Sequence, residues 1–313
     1  MEHLTSMVSS RGILRSCSVH NRRPVSSSNQ IDLDLLESHP AGGSIYICTD
    51  ALQRFASEFV PKISQPFTLV SGDSDLPVSL GLIQQPELAQ LLENPYLVAW
   101  HAQNLAAGHP KLHALPIGVD YHTMVTQAGF WSLGTASAPA QERTRIDELC
   151  TSTPLGERFV AAYCSWQFVL GSVDRVECME RIDKSLCFFE PTRVPRCATW
   201  PRQAQCMFVV SPEGVGMDCH RTWEAILLGC IPIVKRNALS SLFSDLPVIV
   251  VDDWAQVSRE LLLGYAAQFV ARSFDFRLLF REFWMRKIRR ETDLEMPRMT
   301  FAELRRFLKQ SIG

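Results

Sequence analysis

Short apolar runs alternate with amphipathic stretches along most of the chain. Runs rich in β-branched and aromatic residues predict strands, at residues 44–48, 67–70, 96–100, 112–117, 159–166, 207–212, 230–235 and 247–254. Apolar residues spaced three and four apart predict helices between them, at residues 51–63, 86–94, 174–186 and 222–229. This alternation is typical of an α/β fold in which helices cover both faces of parallel sheets.

The pattern falls into two halves, which we interpret as two facing Rossmann-like domains with a cleft between them. A chain of 313 residues exceeds what one hydrophobic core usually organises. Apolar periodicity weakens between Asp120 and Glu157 and becomes strongly helical after Ser258. We therefore predict a disordered leader, a first domain, a second domain and a set of C-terminal helices packing on them, at residues 1–30, 31–155, 156–268 and 269–313.

The first 30 residues are rich in Ser and Arg and poor in acids, a composition that favours a disordered leader over a transit peptide. They lack the apolar block of a secretory signal. No run in the sequence approaches the ~20 apolar residues that cross a bilayer. We expect no membrane span, and either a cytoplasmic protein or a chain that lacks its anchor.

Composition excludes several classes of function. A formal charge of −2 and a pI near 6.5 give no general attraction for polyanions, which disfavours nucleic-acid binding. The ten cysteines are scattered without a C-x-x-C pair, which disfavours zinc ribbons, redox dithiols and a disulfide scaffold. We therefore expect no structural metal site.

One strand, loop, helix and strand unit carries the clearest chemical signal. The strand Phe208–Val210 ends at Ser211-Pro212, and Gly214 and Gly216 let the main chain turn and approach a ligand closely. Asp218 is placed to cap a helix that begins near Cys219 and ends at Gly229. A helix start offers free N–H groups and partial positive charge, which suits a phosphate group.

Three side chains near that helix start extend the signal. Arg221 offers a guanidinium fork that matches phosphate oxygens, and His220 can donate a further hydrogen bond. Glu224 lies one turn later on the same side, where its carboxylate could take both hydroxyls of a ribose. Together they predict a site for a nucleoside diphosphate.

This unit resembles the C-terminal region of the exostosin-like glycosyltransferases. The resemblance covers about Tyr163 to Trp254 and rests on residues of one short run, namely Ser211-Pro212, Gly214, Gly216, Arg221, Glu224-Ala225 and Gly229-Cys230-Ile231-Pro232-Ile233. It departs from the family at Glu213, where many relatives have a basic or a small residue.

The resemblance implies a GT-B architecture and transfer of a sugar, with inversion, from a nucleotide sugar to a glycan or other hydroxyl acceptor. The second domain would hold the donor and the first the acceptor. Arg175 and Arg221 would bind the diphosphate and Glu224 the ribose. A UDP-sugar is the expected donor, and no cofactor is implied.

Inversion requires a general base that deprotonates the acceptor hydroxyl. The candidates follow strands of the first half: Asp73, Asp75, Asp120, His122 and, less favoured, His101. The sequence leaves the choice among them open.

Two other interpretations stay open. Asp73-Ser74-Asp75 could be the D-x-D of a metal-dependent GT-A transferase, in which two carboxylates hold a divalent ion. The chain could also be a non-catalytic relative that binds a nucleotide sugar. A dinucleotide oxidoreductase is disfavoured because no G-x-G-x-x-G follows the first strand of either half.

Overall fold

The computed structural model describes residues 2–37, 39–123, 137–166, 172–190, 194 and 196–312. The first half of the chain contains six strands: β1 (Ser44–Cys48), β2 (Phe67–Gly72), β3 (Val78–Ser79), β4 (Leu97–Ala102), β5 (Leu105–Ala106) and β6 (Leu112–Ala114). Four of them form a parallel sheet in the order β1-β2-β4-β6, and β3 pairs in parallel with β5.

The second half contains a five-stranded sheet. Its strands are β7 (Phe159–Cys164), β8 (Cys187–Phe189), β9 (Cys206–Val210), β10 (Ile231–Lys235) and β11 (Ile249–Val251). They lie in the order β11-β10-β9-β7-β8, and all neighbours are parallel. Two parallel sheets confirm the predicted α/β class and are compatible with Rossmann-like domains.

Eleven α-helices in the described residues connect and cover the sheets. They are α1 (Ser10–Ser16), α2 (Leu52–Arg54), α3 (Leu80–Ile83), α4 (Pro86–Glu93), α5 (Ala138–Thr151), α6 (Val173–Arg181), α7 (Arg196–Gln203), α8 (His220–Leu227), α9 (Arg259–Ala271), α10 (Arg281–Arg289) and α11 (Phe301–Ile312). A 3-10 turn precedes α2, and a π-helical turn and a second 3-10 turn follow it, so that residues 49–62 are continuously helical. No helix in the described ranges is long and apolar enough to cross a membrane.

The strands are apolar runs because both sheets are covered on both faces. All five residues of β9 are buried, as are all six of β2. One hydrophobic cluster surrounds the first sheet around Phe55 and Trp100, and a larger one joins the second sheet to the C-terminal helices. Phe274 and Trp284 are buried in that larger cluster, as the apolar stripe after Ser258 predicts.

The N-terminal segment differs from the prediction. Ser9 caps α1 through its side chain, and Met7, Ile13 and Leu14 are buried in the larger hydrophobic cluster. Met7 pairs with Phe280, at the start of α10. The prediction of a disordered leader is therefore wrong over residues 2–19, because long-range contacts that composition does not encode order this segment.

The predicted boundary between the halves lies only partly in the described residues. Residues 124–136 fall outside them, whereas α5 (Ala138–Thr151) occupies the rest of the Ala-rich stretch. This helix packs against α11 and contacts α7 and α8. It therefore lies among elements of the second half and the C-terminal helices.

Candidate functional site

The loops after strands of the first sheet meet the turn between β9 and α8. Asp218 in that turn accepts a hydrogen bond from the Ile117 backbone N–H (2.8 Å), and its own N–H donates to Asn104 Oδ1 (3.0 Å). His220 Nδ1 lies 2.7 Å from the Gly118 carbonyl oxygen. The carboxyl ends of strands from both sheets thus lead to one set of contacts, which we call the contact line. Open α/β sheets bind ligands at the carboxyl ends of their strands.

Helix α8 begins at His220 and ends at Leu227, followed by Gly229 with φ +74°. Both ends agree with the prediction within one residue. Cys219 precedes the first turn and makes no side-chain cap. The N-terminal N–H groups of α8 therefore lack the side-chain oxygen that usually satisfies one of them.

Asp218 does not cap this helix, contrary to the prediction. Its carboxylate is buried and accepts hydrogen bonds from the Trp223 indole N–H (2.9 Å) and from Ile117 N–H. Burial raises its pKa to about 6, against the opposing effect of those hydrogen bonds. Asp218 therefore links the two halves of the chain, and its buried carboxylate is not accessible to a nucleotide-sugar ligand.

The two glycines of the turn lie close to side chains of other segments. Neither adopts a left-handed φ. A Cβ at Gly216 would lie 3.0 Å from Asn104 Nδ2 and 3.2 Å from Asp75 Oδ1, and one at Gly214 would lie 3.1 Å from Arg175 Nη2. Glycine is needed here because other protein groups approach the backbone closely.

Arg221 lies at the second position of α8, and its guanidinium is fixed against the turn. Nε donates to the Ser165 carbonyl (2.9 Å), and Nη1 donates to the Pro212 carbonyl (3.2 Å) and to Ser211 Oγ (3.4 Å). The group lies 5.8 Å from the Trp166 ring centroid. These carbonyl and hydroxyl acceptors orient the guanidinium.

Arg175, in the first turn of α6, approaches the same turn from the other side. Its Nε donates to the Glu213 carbonyl (3.2 Å), which also accepts from Ser172 Oγ (2.9 Å). The Glu213 N–H donates to Asp174 Oδ2 (2.8 Å). The structure therefore brings Arg175 and Arg221 to one turn, at the starts of two helices, where positive charge accumulates.

Two base candidates lie opposite α8. Asp120 is buried, and its Oδ1 lies 3.6 Å from His122 Nδ1. The ring centroids of His122 and His220 are 6.4 Å apart. Glu224 Oε1 accepts a hydrogen bond from the Asp120 N–H at 3.3 Å. Four of the predicted site residues, contributed by both halves, therefore form one group.

His122 is a neutral imidazole near pH 7. Burial lowers its pKa, and this effect outweighs the nearby carboxylates of Asp120 and Asp73, which raise it. A neutral imidazole with a carboxylate beside one ring nitrogen is the arrangement that a general base requires.

The remaining base candidates make other contacts. Asp73 Oδ2 lies 3.3 Å from Arg11 Nε, and its Oδ1 accepts from Ser26 Oγ (2.8 Å), whereas Asp75 is exposed. No cluster of three or more potential metal ligands occurs in the described residues. His101 lies within β4 against His113, with ring centroids 5.0 Å apart, and burial lowers its pKa to about 3.

Sequence reasoning missed two residues of this contact line. Arg145 of α5 is fully buried and bonds to Glu224, and Asn104 holds the turn through its side chain. Arg145 lies among Arg, Thr, Asp and Glu, so its segment has the composition of a solvated helix. No local signal marked it.

The site is a turn with two guanidinium groups and an uncapped helix start, and His220 of that helix start lies beside the Asp120–His122 pair. Such a turn suits a phosphorylated ligand, and the pair suits removal of a proton. No protein-family model matches the chain, and a search of curated proteins finds no match.

Proposed function

We propose that the protein is a glycosyltransferase that moves a sugar from a nucleotide sugar, with a UDP-sugar as the expected donor, to a hydroxyl of a glycan or other acceptor. In this proposal the two sheets belong to two Rossmann-like domains arranged as in GT-B enzymes. The observation that carries the proposal is that the turn bonded by Arg175 and Arg221 leads into α8, whose His220 and Glu224 contact His122 and Asp120.

The turn would hold the diphosphate. When the bond between the sugar and the diphosphate breaks, negative charge develops on the leaving phosphate oxygen, and cationic groups and helix-start N–H groups stabilise it. Arg221 and Arg175 would supply the cationic groups, and their bonds to backbone carbonyls pre-orient them. Glu224 would accept the ribose hydroxyls.

Among the base candidates we favour His122, with Asp120 as the residue that orients it. The acceptor hydroxyl oxygen attacks the anomeric carbon, the bond to the diphosphate breaks, and the hydroxyl proton passes to the imidazole. The 3.6 Å separation of Asp120 Oδ1 and His122 Nδ1 is longer than a hydrogen bond, and such contacts often tighten when substrate binds.

The metal-dependent alternative receives less support from the contacts. It needs both carboxylates of Asp73 and Asp75 on one ion, whereas Asp73 is paired with Arg11 and Ser26. The non-catalytic alternative differs from the proposal only in turnover.

The test is release of the nucleotide, as UDP, GDP or CMP, from a panel of UDP-, GDP- and CMP-sugars, with and without EDTA. We expect release with one donor class, unaffected by EDTA and reduced by about 10²-fold or more in His122→Ala, since a general base contributes at least that much. Binding of a nucleotide sugar without release of its nucleotide would favour the non-catalytic alternative. Loss of nucleotide release in EDTA would favour the metal-dependent alternative. The absence of both nucleotide binding and nucleotide release would contradict the proposal.

A further inference from the structure

Arg145 is a buried cation in the middle of the contact line. Its side chain is completely inaccessible to solvent. The guanidinium carbon lies 4.4 Å from the Trp200 ring centroid and 5.0 Å from that of Tyr121. Desolvated cation–π contacts of this kind are stronger than exposed ones. Two rings from different elements therefore fix the plane of this guanidinium.

One nitrogen of Arg145 contacts both halves of the site. Nη2 lies 3.2 Å from Glu224 Oε1, on α8, and 3.2 Å from the Asp120 carbonyl oxygen. The Asp120 N–H donates to the same Glu224 oxygen at 3.3 Å. Arg145, Asp120 and Glu224 thus form a closed set of hydrogen bonds through one carboxylate oxygen.

This arrangement has a consequence for Glu224. The residue is 6% exposed, and an ionised carboxylate at such depth needs a cationic or hydrogen-bonding partner to remain charged. Arg145 supplies the cation, and its rigid position fixes the direction of the carboxylate. A hydrogen bond to a charged acceptor is stronger than one to a neutral acceptor, but only when the acceptor is correctly oriented.

We propose that Arg145 is the positioning residue that aims the Glu224 carboxylate at the ribose hydroxyls of the nucleotide and couples it to the Asp120 loop. This inference rests on the proposed function. Arg145 itself touches no substrate, because it is enclosed by Tyr121, Trp200 and the two residues that it holds. Its effect on binding must therefore depend on the ribose hydroxyls.

The experiment compares UDP with 2′,3′-dideoxy-UDP, which keeps the diphosphate and lacks both hydroxyls. Calorimetry gives the Kd of each for the wild-type protein, for Arg145→Met and for Arg143→Met, an exposed control on the same helix. We expect the wild type to prefer UDP by about tenfold, a difference of about 1.4 kcal/mol. In Arg145→Met the preference should fall below about twofold, and the control should keep it.

Several outcomes overturn the inference. An unchanged preference in Arg145→Met would show that Arg145 does not aim the Glu224 carboxylate. Tighter UDP binding in this variant would show that Arg145 competes with the ribose hydroxyls for that carboxylate. Should the wild type bind no nucleotide, the inference and the proposed function fail together. A wild type that binds UDP while Arg145→Met keeps the preference defeats the inference alone.

Removing one member of a buried ion pair can prevent folding, so Arg145→Met/Glu224→Gln is the second variant. It removes both charges of the pair and should bind UDP and its dideoxy analogue equally through the diphosphate. A persistent preference for UDP in this variant would also overturn the inference.

Discussion

The buried carboxylate of Asp218 makes the contact between the halves sensitive to pH. Its pKa rises from 3.8 to about 6 in the folded chain because burial disfavours the charge. At about 1.4 kcal/mol per pKa unit, this rise costs the ionised folded state about 3 kcal/mol. Because the folded pKa is the higher one, the contribution of Asp218 is fully present below pH 3.8 and is lost as pH rises through about 6.

Asp218→Asn removes this dependence on pH. The amide oxygen can still accept from one of the two donors, Ile117 N–H and the Trp223 indole, while the other loses its acceptor at a pH-independent cost of about 1–3 kcal/mol. Between pH 4.5 and 7.5 the wild type should lose about 2 kcal/mol of unfolding free energy relative to the variant. The stability difference between the two proteins should therefore shrink or reverse as pH rises.

Urea unfolding of both proteins at several pH values from 4.5 to 7.5 measures this difference. Asp252→Asn, at an exposed position, is the control for loss of one carboxylate. Parallel stability curves for Asp218→Asn and the wild type would refute the reasoning, because they would mean that burial does not raise the pKa of Asp218.

Other parts of the structure give three further predictions. Gly216→Val should lower the free energy of unfolding by about 1–3 kcal/mol through overpacking. Gly108→Val should not, because a side chain at that position enters open space. Equal melting temperatures of the two variants would contradict this prediction. Deleting residues 1–18 should prevent cooperative unfolding, and a normal calorimetric transition would count against the N-terminal packing. Because the pKa of His122 is lowered, turnover should fall only at a pH below the usual pKa of a histidine. The Asp120 carboxylate raises this pKa, so Asp120→Asn should move the fall in turnover to still lower pH. An unmoved pH profile would exclude His122 as the base.

The sequence predicted the features of this fold that depend on local pattern. The strands are continuous apolar runs, and α8 is bounded by Pro212 with a glycine turn on one side and Gly229 on the other. Arg221 was predictable because it opens the helix that follows β9 and the glycine turn, whereas Arg175 was expected only from the family resemblance. Local signals are therefore sufficient to locate the turn but not its second arginine.

Long-range contacts decided the parts that the sequence did not predict. Asp218 has the residue type and position of a cap, but a backbone N–H of the other half and a tryptophan indole take its carboxylate. Arg145 is buried because two aromatic rings from separate segments enclose it. Residues 2–19 are ordered by contacts with distant segments, in which Met7 pairs with Phe280, Ser9 with Gly118 and Val19 with Ile45.

The central claim is that the turn between β9 and α8 binds the diphosphate of a nucleotide sugar. Thermal unfolding of the wild type and of Arg221→Met with UDP, GDP and CMP tests it most directly, because a ligand that binds only the folded state adds about 2.7 kcal/mol of stability at 100 times its Kd. We predict that one nucleoside diphosphate raises the melting temperature of the wild type and has a much smaller effect on Arg221→Met. No shift with any nucleotide, or equal shifts in both proteins, would contradict the account.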